Sequence, residues 1–309
     1  MSLDPLFILA PPRSFTSVIC GMIGQHPEMY GLPEVNLFAA DDYEGLGRLY
    51  RMRPGFRHGL LRAIAELGLG GQTDENIGVA RKWLEEHHKV KSSYIYNDLV
   101  EWASPRRLVD KSPIYVYSSE SLQRIKDAFP EAYFIHLTRH PRATCDSIHK
   151  LRGVVNEGLD KMRVGKKARE IIKSRYDRIA QVEDPDSMWL KPHVRIMEFL
   201  EGIPANQQIR VKGEDFMTDP GRFLSQIAEW LGVSITKDAI EAMKHPEQSP
   251  FACYGPSSAK FGNDPSYLEG PELREYKPRD CSLEGALEWD SSITFSEDLM
   301  QCAIYYGYV

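Results

Sequence analysis

The chain has 309 residues, of which 38 are Lys or Arg and 44 are Asp or Glu, giving a formal net charge of −6. Hydrophobic residues at 42 % and charged residues at 27 % exclude a disordered chain, and the length fits one or two domains. The mildly acidic balance argues against a nucleic-acid partner, and no apolar run near the N-terminus approaches the roughly 18 residues that span a bilayer, so neither nucleic acid nor membrane is expected as a partner.

Residues 6–10 form an apolar run that reads as a buried parallel strand. The run lacks the basic start and small-residue cleavage site of a signal peptide, so a cytoplasmic location is expected. Five cysteines without CxxC or Cys/His spacing read as free thiols in a reducing compartment. The strand leads into Pro11-Pro12-Arg13-Ser14-Phe15-Thr16-Ser17, after which residues 17–24 repeat apolar positions at helical spacing. A strand–loop–helix unit offers backbone N–H groups and the positive end of a helix dipole to an anion. Arg13 adds a charge there, and Ser14, Thr16 and Ser17 add hydroxyl donors. The pattern GxxxxGK[ST] cannot be fitted to this loop, which disfavours a nucleoside-triphosphate hydrolase. Further on, Gly31-Leu32-Pro33-Glu34 reads as a turn leading into a helix, with Glu34 in its first turn.

Residues 41–104 show no convincing strand and read as a helical insertion, clearest over 77–88. Arg107–Asp110 is the second expected strand, with Lys111 just past its end, and residues 118–129 form the next helix. Tyr133–Thr138 is the third strand. Arg139 stands at its carboxyl end, where open α/β sheets bind ligands. A helix over 141–151 follows with Pro141 at its first position, and Ser147, two turns in, can face the same crevice. Residues 101–180 hold 17 basic and 10 acidic side chains, an excess suited to one compact anion, although the run 161–173 reads as solvated helix surface. Gln208–Lys212 is the fourth strand, and residues 216–231 read as one amphipathic helix. Residues 248–290 are rich in Pro, Gly and Ser and read as a long irregular excursion, a length of loop that is usually functional. Strands separated by helices point to an α/β architecture with a parallel sheet.

The stretch Ala10-Pro11-Pro12-Arg13-Ser14-Phe15-Thr16-Ser17 resembles the 5′-phosphosulfate loop of sulfotransferases that use 3′-phosphoadenosine-5′-phosphosulfate (PAPS), especially the bacterial and Golgi-type branches. Gln25-His26-Pro27 and Pro33-Glu34 extend the likeness. Arg139 and Ser147 match the family's 3′-phosphate pair, and Lys260-Phe261-Gly262 resembles the loop that closes over the adenine and 3′-phosphate. The stretches 211–216 and 230–233, with Pro220, resemble its late strand and helix. One departure is Phe15, which stands where the family usually has Gly; a glycine there would supply a positive φ or close backbone approach.

The resemblance implies a P-loop-like three-layer α/β fold: a central parallel sheet flanked by helices, with a helical insertion at 41–104. It implies one sulfotransferase domain over 1–309, with 248–290 as a lid or cofactor loop. The implied reaction moves the sulfuryl group of PAPS to a hydroxyl of a small molecule, or of an acyl chain on a carrier protein, and releases adenosine 3′,5′-bisphosphate. Arg13, Ser14, Phe15, Thr16 and Ser17 would hold the phosphosulfate, Lys111 would face the sulfonate and bridging oxygen, and Glu34 would be the base. Charge on Arg13, the loop N–H groups and a Lys makes a metal unnecessary. The cytosolic branch uses a His after Lys-Ser/Thr, but here that slot reads Lys111-Ser112-Pro113, leaving His26, His140 and His149 as site neighbours. Two other readings stay open: a silent nucleotide-binding module, and a small-molecule phosphotransferase with Asp110 as its Mg²⁺ carboxylate.

Overall fold

A computed structural model describes residues 3–161 and 184–309. Strand β1 (Leu6–Leu9) is followed by α1 (Thr16–Ile23) and β2 (Met29–Gly31). Four helices then occupy the segment expected to be helical: α2 (Tyr43–Met52), α3 (His58–Leu69), α4 (Asp74–Glu86) and α5 (Ser92–Ala103). Side-chain oxygens start two of them, since Asp42 accepts from the Gly45 N–H and Thr73 from the Asn76 N–H. The chain continues through β3 (Arg107–Asp110), α6 (Ser119–Ala128), β4 (Tyr133–Thr138) and α7 (Pro141–Lys161). The side chains of the basic run 161–173 lie outside the described residues. Helix α8 (Lys191–Glu201), β5 (Gln208–Lys212), α9 (Gly213–Thr218), α10 (Pro220–Trp230), α11 (Lys237–Ala242), α12 (Pro265–Glu269) and α13 (Glu297–Tyr305) complete the order.

All five strands are parallel, in the order β2-β3-β1-β4-β5. The four strands read from sequence are present; β2 was not among them. The helix expected over 216–231 is two helices, α9 and α10, parted at Asp219-Pro220. Pro220 cannot donate to a preceding carbonyl, and the Asp219 carboxylate restarts the helix by accepting from the Arg222 N–H.

Alternation along β1 builds a core on each face of the sheet. Phe7 and Leu9 point into a cluster with Phe38, Tyr96, Phe129 and Phe134, where Phe7 lies 5.9 Å from Phe134 and 5.7 Å from Tyr96 between ring centroids. Leu6 and Ile8 face the other way, onto Ile19, Ile23, Phe216, Leu224 and Ile227. The result is the three-layer α/β fold with a P-loop-like strand–loop–helix start. In this strand order the chain turns to one side of β1 to lay down β2 and β3, and later crosses to the other side for β4. Beside β1, at the carboxyl ends, is therefore the crevice such sheets use for ligands.

Candidate active site

The loop after β1 turns twice through the left-handed region, at Arg13 (φ 68°) and Phe15 (φ 61°). Phe15 thus takes a conformation that costs a non-glycine residue roughly 1–2 kcal/mol. Its ring accounts for the choice of residue: it meets Tyr276 edge-on at 5.6 Å and carries the Arg139 guanidinium 4.4 Å above it. Gly213, the first residue of α9, makes room for it, because a Cβ there would stand 2.6 Å from Phe15 Cδ2. No side chain caps the start of α1, and the buried Ser14 hydroxyl has no hydrogen-bond partner among the described residues. Thr16 and Ser17 are buried in the same turn.

Lys111, one residue past β3, is fully buried, and its Nζ donates to Ser17 Oγ and to Glu34 Oε1, each at 2.7 Å. Loop, lysine and carboxylate therefore form one connected group across the ends of β1 and β3. Glu34 is held through its backbone, with its N–H donating to Gly262 O at 2.7 Å and its carbonyl accepting from Asn36 Nδ2 at 3.2 Å. Gly59 presses on the Glu34 carbonyl so closely that a Cβ there would overlap it. Asp110 lies behind Lys111 with both oxygens engaged, by the Ser112 hydroxyl at 3.0 Å and the Tyr115 hydroxyl at 3.2 Å. Burial pushes its pKa up to about 7, against the lowering effects of Ser112, Tyr115 and Lys111. A carboxylate enclosed in this way is poorly placed to take a metal ion. Cys20 beside it is an inert thiol, raised to about 12 by burial.

Arg139 and Ser147 lie on the opposite side of the loop, and Arg13 joins them. Arg13 Nε donates to Ser147 Oγ at 2.9 Å, its guanidinium pairs with Asp264, and a third bond of 3.1 Å reaches Ser266 Oγ. Arg139 donates to the Arg13 carbonyl, while its Nε is buried with no hydrogen-bond partner among the described residues. Burial lowers the pKa of Arg139, and the nearby Glu214 opposes this. Behind it, Glu214 accepts from the His140 N–H at 2.8 Å and from the Tyr308 hydroxyl at 3.0 Å. Trp189 Nε1 holds the Arg139 carbonyl at 2.8 Å.

Lys260-Phe261-Gly262 comes to the Glu34 end of the site: Gly262 accepts from Glu34, and Phe261 stacks on His58 with ring centroids 5.8 Å apart. The same excursion reaches Arg13 only through Asp264 and Ser266. These two residues, together with Gly59, Asn36 and Glu214, were not singled out from the sequence. No local pattern distinguishes them, since each acts on a partner far along the chain. Of the three histidines considered, His140 adjoins Arg139, His26 bonds the Ser234 carbonyl at 2.8 Å, and His149 stacks on Trp289 at 4.5 Å.

A strand-end crevice with an anion-ready loop, a buried lysine and a carboxylate is the candidate site for a group transfer. The profile described as "Sulfotransferase family" matches residues 5–238, and the chain belongs to that family. It is 30 % identical over 148 residues to the nodulation protein NoeE of Sinorhizobium fredii (strain NBRC 101917 / NGR234), a match covering 48 % of this chain and 32 % of that protein. The match thus spans about a third of that relative's length. The sulfotransferase domain of the Synechococcus PCC 7002 olefin synthase superposes with a TM-score of 0.72 at 24 % identity, over 99 % of this chain and 95 % of that one. The sulfotransferase domain from the curacin biosynthetic pathway gives 0.69 at 20 % identity, over 100 % and 99 %. At those identities the likeness speaks for the fold.

Proposed function

We propose that this sulfotransferase takes its sulfuryl group from PAPS and passes it to an alcohol, with Glu34 as general base and Lys111 as electrophilic partner. The observation that supports the reading best is the buried Lys111 ammonium, shared between Ser17 of the loop and the Glu34 carboxylate. PAPS supplies an activated bond between sulfur and a phosphate oxygen. Arg13, the hydroxyls of Ser14, Thr16 and Ser17 and the N–H groups from Phe15 onward bind the phosphosulfate. Arg139 and Ser147 bind the 3′-phosphate. The residues fit such a ligand: the orphaned Ser14 hydroxyl and Arg139 Nε are buried donors that an oxyanion would satisfy. Lys260-Phe261-Gly262 closes the side of the site next to Glu34.

Glu34 takes the proton of the acceptor hydroxyl as that oxygen forms its bond to sulfur. The bond from sulfur to the phosphate oxygen breaks, and its electron pair leaves with adenosine 3′,5′-bisphosphate. Lys111 and the loop N–H groups offset the charge growing on that leaving oxygen, so positioning and electrostatics carry the reaction. The acceptor is a hydroxyl-bearing small molecule or an acyl chain on a carrier protein, a choice in keeping with structural neighbours from curacin biosynthesis and an olefin synthase. Among the described residues no helix is long and apolar enough to cross a membrane, and we assign the protein to the cytoplasm.

The test is incubation with PAPS labelled on sulfur and a panel of alcohols, beside calorimetric titration with adenosine 3′,5′-bisphosphate. Labelled product and nucleotide binding are expected. Absence of both would overturn the proposal.

A further inference from the structure

Apart from the Glu34 junction, a second group of polar side chains has no role in the chemistry above. It lies where α2, the turn before α3, and α4 meet the 248–290 excursion. Tyr50 is 7 % exposed, and its hydroxyl has no hydrogen-bond partner among the described residues. The Nε atoms of Arg57 and Arg81 are buried and equally without partners among the described residues. Three orphaned donors in one place are costly, since a buried donor left unmade costs roughly 1–3 kcal/mol.

Independent contacts show that these groups converge. The Tyr43 and Tyr50 rings are 5.8 Å apart. Arg57 and Arg81 both act on the Tyr43 hydroxyl, which burial raises and the two guanidinium groups lower, with Glu85 as the one carboxylate opposing them. Burial lowers the pKa of His58, and the charges of Arg57, Arg81 and Arg62 lower it further. Arg81 also donates to the Ser258 carbonyl at 3.4 Å, which leaves Lys260 two residues away, its Nζ 5.0 Å from the Tyr254 ring and 5.9 Å from the Phe261 ring. Phe261 stacks on His58, and His58 precedes Gly59, whose backbone touches Glu34. Two phenols and two guanidinium groups, with the Lys260 ammonium nearby, outnumber the carboxylates beside them: Glu85, which acts on Tyr43, and Asp74, which already accepts from Ser257 and Ser258.

We propose that Tyr43, Tyr50, Arg57 and Arg81 bind an oxyanion, a phosphate or a carboxylate, carried by the acceptor whose hydroxyl is presented to Glu34. Tyr50 and Arg57 donate from the buried side, Arg81 from α4, and Lys260 closes the rim. The assignment to the acceptor rests on the sulfuryl-transfer reading; the oxyanion site itself does not. Specificity of this kind is strong, because an acceptor without the charged group leaves the buried donors unpaired.

The probes are phenyl phosphate and benzoate, with phenol as the neutral control. Each is titrated calorimetrically into the full chain saturated with adenosine 3′,5′-bisphosphate, so that Arg13 and Arg139 are occupied. At least one anion is expected to bind where phenol does not, and which of the two binds identifies the group. Tyr50→Phe should weaken that binding several-fold, and Arg57→Gln or Arg81→Gln at least tenfold, with Tm not lowered and bisphosphate affinity unchanged. Failure of both anions to bind, or equal binding in all three variants, overturns the site. With any alcohol that is turned over, the bound anion should raise KM for the alcohol and leave KM for PAPS alone; no such competition overturns the assignment to the acceptor. Loss of bisphosphate binding alone would sink the donor reading, and the anion titrations would still compare wild type with the variants.

Discussion

Lys111 and Glu34 meet at 2.7 Å, the lysine side chain 1 % exposed and the carboxylate 26 % exposed. The asymmetry matters chemically. Lys111 is fixed by Ser17 and by burial, whereas the Glu34 side chain stays partly exposed. A carboxylate already oriented, yet reachable, suits the role of base proposed for Glu34, since it needs little rearrangement when an acceptor arrives.

Glu34→Gln keeps the shape and the backbone bonds to Gly262 and Asn36 but cannot accept a proton. Transfer from labelled PAPS should fall by about 10²–10⁴-fold, the usual contribution of a positioned base. Affinity for adenosine 3′,5′-bisphosphate should change little. Turnover equal to wild type would remove Glu34 from the chemistry.

What the sequence shows and what it hides divide along physical lines. β1, β3, β4 and β5 are legible because buried parallel strands are short apolar runs bounded by turns. Strand β2 is three residues on a sheet edge, too short to carry a period, and the Asp219 restart of α10 depends on a cap rather than on the apolar spacing. The loop residues, Lys111 and Arg139 stand at strand ends, so their convergence follows from topology. Asp264 reaching Arg13 across 251 positions, or Gly59 lying on Glu34, has no local signature. Phe15 is instructive: glycine was expected for its positive φ, and the observed φ of 61° shows that the turn is kept, with Gly213 supplying the space instead.

That exchange of space can be tested as a pair. In Gly213→Ala the new Cβ would stand 2.6 Å from Phe15 Cδ2 and 3.1 Å from the Thr138 carbonyl. The ring must move and Arg139 loses its seat, at a cost of about 1–3 kcal/mol. Phe15→Gly relieves the φ strain but gives up the ring contacts. The double variant should be less destabilised than the sum of the two by about 0.5 kcal/mol or more, read from urea unfolding. Strict additivity would show that the two positions do not act on each other.

Arg13 makes an ion pair with Asp264, which also caps α12 by accepting from the Ser266 N–H at 2.8 Å. A carboxylate on the arginine proposed for phosphosulfate competes with an incoming anion. Asp264→Asn preserves the cap and removes the charge, so adenosine 3′,5′-bisphosphate should bind several-fold more tightly, with a steeper dependence on salt. Weaker binding in this variant would mean that Asp264 holds Arg13 in place for the ligand.

Stability should depend on pH through buried groups of opposite sign, His193 and Asp110 among them. His193, bonded through Nδ1 to His136 Nε2 at 2.9 Å, is lowered to about 3 by burial and by Arg210. Between that value and the ordinary 6.5, the unfolded chain binds a proton that the folded one refuses, so stability is lost as pH falls below about 6.5. Asp110, raised from 3.8 to about 7, does the reverse: the folded chain keeps a proton the unfolded one sheds, and stability is lost as pH rises from about 4 to 7. Between pH 5 and pH 7 each effect is worth about 2 kcal/mol at its upper bound. His193→Gln should therefore shrink the advantage of pH 7 over pH 5 in urea unfolding, and Asp110→Asn should enlarge it. Equal shifts in the same direction for both variants would contradict the assigned protonation states.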